Sequence, residues 1–343
     1  MELLELQKII APEVVEIIEK RYLILRTILI NQPVGRRALS NLLGLSERVI
    51  RDEVNILKNQ GLLNINLMGM NITENGEAII EELNSIYSEI KGIPKLKQRL
   101  EKVLGIKKVI IVPSNSLETN LVLKDMGKAA ANTIKQIIKP KDILGITGGN
   151  TMAAIADEMI RDGRNLGVTV VPARGGLGAN LETQSNSIAA KLSQKLGGTY
   201  KLLFVPDTLE KEALDIILKN PEIKEAIELI NKIDILVIGI GRADTMAKRR
   251  NLSLDKISEI IDNGAVAEAF GHYFDINGNE VWEHETIGLT IEKFKEIPDI
   301  IGVAGGEDKA QAILAICSLT KDMILITDED ASRRILELVG NAT

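Results

Sequence analysis

The stretch DILGITGGNTMAAIADEMI (142–160) reads as a strand, a tight turn and a helix. Residues 142–147 form a short apolar run, Gly148-Gly149 break it, and helical spacing is expected over 151–161. A strand that is apolar on both faces and feeds directly into a helix is the unit of a parallel sheet. The same unit recurs through KKVIIVP (107–113), GVTVVP (167–172), KLLFVP (201–206), DILVIGIG (234–241), IIGVAGG (300–306) and MILITD (323–328). Helical stretches at 118–138, 181–196 and 307–317 separate most of them. Residues 106–343 are therefore expected to be an α/β domain with a doubly wound, mainly parallel sheet. Segments 254–270, 271–290 and 291–299 depart from the alternation, and Asn277-Gly278 predicts a hairpin insert.

Toward the N-terminus the pattern changes. Residues 74–105 carry Ile79, Leu83, Ile86 or Tyr87, and Ile90 at helical spacing, interrupted at Gly92-Ile93-Pro94, and read as a helical linker. Upstream, 21–31, 36–43 and 47–60 are three short helical patterns, with Ala38 and Leu42 on one face of the second. Gly44-Leu45 makes a tight turn, Ser46 is an N-cap and Gly61 closes the third helix. The third helix turns Val49, Ile50, Val54 and Leu57 inward, and 62–73 alternates as a hairpin around Gly69. Together 1–73 resemble a winged helix-turn-helix with a short N-terminal extension. In that motif the second helix of the pair enters the major groove. Arg48 and Arg51 suit guanine and Asn55 suits adenine, while Arg36 and Arg37 suit phosphates, with Ser46 at the start of the reading helix. The competing reading is a three-helix protein-interaction module with an ordinary charged face.

Composition narrows the chemistry. The chain has 343 residues, two histidines, one cysteine and nine aromatics. Cys317 alone excludes an internal disulfide framework and Cys-rich metal sites, and His272 and His284 leave little for a histidine-based metal site or triad. No metal and no cofactor are expected. Nine aromatics are few for stacking single-stranded nucleic acid. The net charge of −6 hides an asymmetry, because 20–73 hold eight Lys/Arg against three Asp/Glu while the preceding 19 residues hold five Glu and one Lys. A basic patch in an acidic chain is compatible with double-stranded DNA. The start lacks a basic n-region and meets Pro12, and no uncharged apolar run is long enough for a membrane span, so a cytoplasmic address is expected.

Ligands of open α/β sheets bind beyond the carboxyl ends of the strands. Four loops there carry unusual chemistry. Thr147-Gly148-Gly149-Asn150-Thr151 opens a helix and can form an anion nest; Ala173-Arg174-Gly175-Gly176-Leu177-Gly178 holds one arginine. Arg242-Ala243-Asp244 is followed by Lys248-Arg249-Arg250, and Glu307-Asp308-Lys309 starts another helix. Cations in three loops and a nest in a fourth suit a ligand with more than one negative group, best a doubly phosphorylated sugar. No GxxxxGK[ST], dinucleotide fingerprint or HExxH occurs.

The motifs ILGITGGNTM, VVPARGGLG, GTYKLLFVP, TMAKRRN, AVAEAFGHYFD and PDIIGVAGGEDKA, behind a helix-turn-helix, resemble the SorC family of bacterial sugar-responsive transcription regulators over essentially the whole chain. The resemblance implies a repressor of a glycolytic operon induced by fructose 1,6-bisphosphate, with an effector domain akin to sugar-phosphate isomerases and deaminases but without activity. It implies phosphate contacts at Gly149, Asn150 and Thr151, basic contacts from Arg174, Arg249 and Lys309, and polar contacts from Gln184 and Glu268. Relatives commonly have Thr where Asn150 stands, so an amide replaces a hydroxyl there.

The alternative is an active sugar-phosphate isomerase or deaminase carrying a DNA-binding arm. The deaminases place Asp-Gly-His after Gly-Ile-Gly, whereas Gly239-Ile240-Gly241 is followed by Arg242-Ala243-Asp244-Thr245. Asp244 and Glu268 are the residual candidates for a general base. A sensor is expected, acting as a homo-oligomer, dimer or tetramer, that spaces two DNA-binding modules and responds to its ligand by changing that spacing.

Overall fold

The computed structural model describes residues 9–114, 119–177, 180–207 and 216–340; Gly178, the last residue of the arginine-bearing loop, lies outside them. The chain divides into two compact units, Met1–Lys95 with Asn115–Leu121 and Leu96–Ser114 with Val122–Thr343.

The first unit contains α1 (Pro12–Asn31), α2 (Arg36–Leu43), α3 (Glu47–Asn59), β1 (Leu63–Asn66), β2 (Gly69–Ile72) and α4 (Glu74–Ile90). The helix expected over 21–31 begins at Pro12, because proline at a first helical position lacks only an N–H that the turn would leave unused. Gly44 ends α2 in the left-handed conformation (φ 62°), and Ser46 Oγ accepts from Val49 N at 3.3 Å to cap α3. Tyr22, Ile24, Leu25 and Ile28 of α1 form one core with Leu39, Leu43, Ile50, Val54 and Leu57. Of the two residues expected to share a face of α2, Ala38 is exposed and Leu42 half-buried; Leu39, Ser40 and Leu43 are the buried residues, and Val49, expected inward from α3, is only half-buried.

The basic patch is smaller than the sequence count. Lys20 Nζ (2.6 Å) and Arg21 Nε (2.8 Å) bind the buried Glu53 carboxylate, and Arg26 is buried with its guanidinium 5.7 Å from the centre of the Tyr22 ring. Burial alone would raise the Glu53 carboxyl, but Lys20 and Arg21 outweigh it and hold it below its ordinary value. Arg36, Arg37, Arg48, Arg51 and Lys58 remain exposed. Residues 74–90, expected to begin the linker, contribute Ile80 and Tyr87 to the same core. Tyr87 stacks on Tyr22 at 4.4 Å between ring centres, and the Tyr22 hydroxyl donates to Asn84 Oδ1. A second helix, α5 (Ile93–Leu104), follows Gly92 (φ 70°).

The second unit runs β3 (Lys108–Val112), α6 (Thr119–Ile137), β4 (Ile143–Ile146), α7 (Asn150–Glu158), β5 (Thr169–Pro172), α8 (Ser185–Leu196), β6 (Thr199–Tyr200), α9 (Pro221–Ile230) and β7 (Ile235–Gly239). It continues through β8 (Gly241–Arg242), α10 (Ala243–Arg249), α11 (Leu254–Asp262), β9 (Ala267–Ala269), β10 (His272–Phe274), β11 (Glu280–Glu283), α12 (Ile291–Glu296), β12 (Asp299–Val303), α13 (Ala310–Ser318), β13 (Met323–Asp328) and α14 (Glu329–Gly340). Seven strands form one parallel sheet in the order β3-β13-β12-β7-β4-β5-β6. From β4 the chain builds outward through β5 and β6, then returns to place β7 on the other side of β4. The β4–β7 boundary is the topological switch point, where open α/β sheets gather ligands.

Two segments differ from expectation. KLLFVP (201–206) is not a strand; β6 is confined to Thr199–Tyr200. Asn186 of α8 explains the break, because its side chain accepts from Leu203 N and donates to Leu203 O, both at 3.0 Å, replacing ladder bonds. The departing segment 271–290 is more than a hairpin insert: β11-β10-β9-β8 form a four-stranded antiparallel sheet that reaches back to Gly241-Arg242.

Candidate functional site

The carboxyl ends of β4, β5, β7 and β12, together with β9, surround a cleft of about 510 Å³. All eight residues expected to meet an effector line it: Gly149, Asn150, Thr151, Arg174, Gln184, Arg249, Glu268 and Lys309. They come from separate stretches of chain, so the sheet topology brings them together. The volume falls in the range of small-molecule sites.

The nest begins where β4 ends. Thr147 Oγ1 accepts from Gly239 N (3.2 Å), which ties the loop to β7 across the switch point. Gly149 adopts φ 115°, a conformation that favours glycine, and α7 starts at Asn150 without a side-chain cap. An uncapped helix start presents N–H groups and the positive end of the helix dipole. The Gly149 N–H already donates to Thr183 O (2.8 Å), so the glycine gives open space and the donors come from the following residues.

The cations differ in how they are held. Arg249 is exposed at the last turn of α10 and forms no ion pair with a described residue. Lys309 Nζ donates to Ile240 O (3.1 Å); burial lowers its pKa, Asp308 opposes this, and the neighbouring Arg249 and Arg242 add to the lowering. Arg174 lies between two carboxylates, with Nε 3.6 Å from Asp207 and Nη1 3.5 Å from Glu268. Burial alone would raise the Glu268 carboxyl, but Arg174, Arg250 and the Gly271 N–H outweigh it and keep it ionised. Gln184 Nε2 donates to Leu177 O (3.3 Å), holding the arginine-bearing loop against the start of α8.

Not every flagged loop residue is available. Arg242 is committed to Asp244 (3.0 and 2.8 Å) and Asp308 (3.0 Å), outside the cleft lining. Burial alone would raise the Asp244 carboxyl, but Arg242 and bonds from Thr245 hold it low. Neither Asp244 nor Glu268 is a free base. His272 Nδ1 pairs with Glu280 Oε2 (3.0 Å) on the β10–β11 hairpin, and His284 stacks on Trp282, with burial and then Arg250 lowering its pKa. Arg250, expected only as part of the Lys248–Arg250 cationic cluster, and Asp207, which the sequence did not single out, complete the charge network behind Arg174.

In the first unit, Arg48, Arg51 and Asn55 share the exposed side of α3, while Ser46 caps it. Arg36 and Arg37 are exposed in the first turn of α2, whose buried Leu39 and Leu43 fix the helix on the core.

The chain belongs to the SorC family of sugar-responsive transcription regulators. Residues 88–337 match the sugar-binding domain family Sugar-bind, and 17–87 match the CggR N-terminal DNA-binding domain. It is 41% identical over 335 residues to the central glycolytic genes regulator of Bacillus subtilis (strain 168), covering 98% of each chain. It is 40% identical over 335 residues to the central glycolytic genes regulator of Priestia megaterium (strain DSM 319 / IMG 1521), covering 97% of this chain and 98% of the other. A SorC-family regulator structure from Enterococcus faecalis is similar at TM-score 0.66 and 36% identity, covering 71% of this chain and 99% of that one. The full-length sorbitol operon regulator SorC from Klebsiella pneumoniae shares the fold at TM-score 0.68 and 19% identity, covering 89% and 94%. The chain is thus a transcription regulator with a DNA-binding and a sugar-binding domain, not an enzyme. No helix among the described residues is long and apolar enough to cross a membrane.

Proposed function

We propose that the protein is a cytoplasmic repressor of a glycolytic operon, released or remodelled on its operator by fructose 1,6-bisphosphate. The observation that carries this reading is the charge of the cleft: Arg174, Arg249 and Lys309 and an uncapped helix start share a lining whose single carboxylate among the described residues is Glu268. Two phosphates on one sugar match two groups of donors, and the sugar hydroxyls match Gln184 and Glu268. The identity to central glycolytic genes regulators over nearly the whole chain supports the choice of a glycolytic operon.

On DNA, α3 lies in the major groove with Arg48, Arg51 and Asn55 on base edges, and Arg36 and Arg37 hold phosphates. A dimer or tetramer sets the spacing of the half-sites. The effector acts through a difference in affinity between the DNA-competent and DNA-incompetent arrangements, since a ligand indifferent to the two shifts nothing.

Three measurements test this. Arg48→Ala lowers operator affinity by about 1–3 kcal/mol and relaxes sequence preference at one position. Arg36→Ala weakens binding across all sequences and reduces the salt slope by about one. In a thermal-shift series, fructose 1,6-bisphosphate stabilises the chain more than sugar monophosphates at equal concentration. Equal stabilisation by both overturns the choice of a bisphosphate, and an unchanged salt slope overturns the phosphate contact.

A further inference from the structure

Behind the cleft, two arginines share two carboxylates unequally. Arg250 Nη2 lies 2.9 Å from Asp207 Oδ2 and 2.9 Å from Glu268 Oε1, and its side chain and that of Asp207 are fully buried. Arg174 reaches the same two acids only at 3.6 and 3.5 Å. Charge-assisted hydrogen bonds are short, about 2.7–2.9 Å, so Arg250 holds the strong pairings and Arg174 the loose ones. Arg250 does not line the cleft; Arg174 does. Glu268 Oε1 also accepts from Gly271 N at 2.7 Å, which fixes its carboxylate toward Arg250.

We propose that Arg250 is a positioning residue that occupies Asp207 and Glu268 so that the charge of Arg174 stays available to an anionic group in the cleft. The proposal rests on the reading of the cleft as a sugar-phosphate site. With Arg250 in place the four buried charges balance and Arg174 turns its donors outward at little cost. Without it, two carboxylates face one guanidinium, and both draw Arg174 back. A phosphate then meets a cluster of net negative charge.

Charge balance makes the test specific. Fructose 1,6-bisphosphate is titrated by calorimetry into the full chain as wild type, Arg250→Met, Asp207→Asn and the double variant. Arg250→Met weakens binding at least about tenfold, because the cleft loses a charge-assisted partner. Asp207→Asn, which removes one competing carboxylate, binds as tightly as wild type or more tightly. The double variant, with one arginine facing one carboxylate, recovers most of the affinity lost in Arg250→Met. A purely structural role predicts the opposite, a double variant no better than Arg250→Met. Arg250→Gln serves should Arg250→Met not fold: a neutral polar side chain removes the charge and weakens binding in the same way, and wild-type affinity in it overturns the proposal. Wild-type affinity in Arg250→Met, or no recovery in the double variant, overturns the proposal. A wild-type chain that binds neither fructose 1,6-bisphosphate nor inorganic phosphate overturns the reading of the cleft and this inference with it.

Discussion

Arg249→Ala weakens fructose 1,6-bisphosphate binding by about 10- to 100-fold and leaves effector-free operator binding at the wild-type level. Hydrogen bonds to charged groups contribute about 1.5–3 kcal/mol each, which sets that range. Arg249 is the cleft cation with least structural duty: it is exposed, ends α10 and forms no ion pair with a described residue. Its removal therefore strips a ligand contact without orphaning a buried partner. Arg174→Ala has a compound effect, since it also leaves Asp207 and Glu268 with Arg250 alone. Calorimetric titration and operator binding on the same preparation separate the two properties. Equal loss of both would show that the cleft and the DNA-binding helices are not distinct sites.

Gly271→Ala lowers the melting temperature of the sugar-binding unit by about 6–16 °C, from about 3–4 kcal/mol of lost stability at about 2–4 °C per kcal/mol. Phe270 (φ 52°) and Gly271 (φ 91°) form a two-residue turn between β9 and β10, with both residues left-handed. A Cβ on Gly271 would lie 2.3 Å from His284 O and 2.8 Å from Thr286 Cγ2, so backbone must move. That movement also displaces the Gly271 N–H from Glu268. Gly264→Ala is the control. It shares a positive φ (87°) but has nothing within 4 Å, so it suffers only the conformational cost of about 1–2 kcal/mol. Calorimetric scans of both variants check the difference, and equal melting temperatures would remove the steric argument.

The parallel sheet was legible because its strands are continuous apolar runs ended by glycine, and the rule that ligands gather at carboxyl ends then picked out Arg174, Arg249 and Lys309. Glu268 and Gln184 were legible only through resemblance. One sits in a three-residue antiparallel strand and the other at a helix start, and neither place leaves a periodic trace. Arg250 stood in plain view beside Arg249, yet its partner Asp207 is remote in sequence and no local pattern joins them. KLLFVP failed as a strand for a similar reason, since Asn186 on a distant helix takes the backbone bonds that a neighbouring strand would supply. In the DNA-binding unit, counting charges overstated the patch. Helical spacing does not reveal that Lys20 and Arg21 turn toward Glu53, a carboxylate on the inner side of α3.

In the proposed function, a sugar bisphosphate in the cleft controls DNA binding. Fluorescence anisotropy of the full chain on a duplex it has itself selected from a random library, titrated with fructose 1,6-bisphosphate, tests this most directly. The expected result is a saturable loss or change of the DNA complex that fructose 6-phosphate reproduces only weakly and that Arg249→Ala does not show. A complex that stays unchanged at saturating bisphosphate would contradict it.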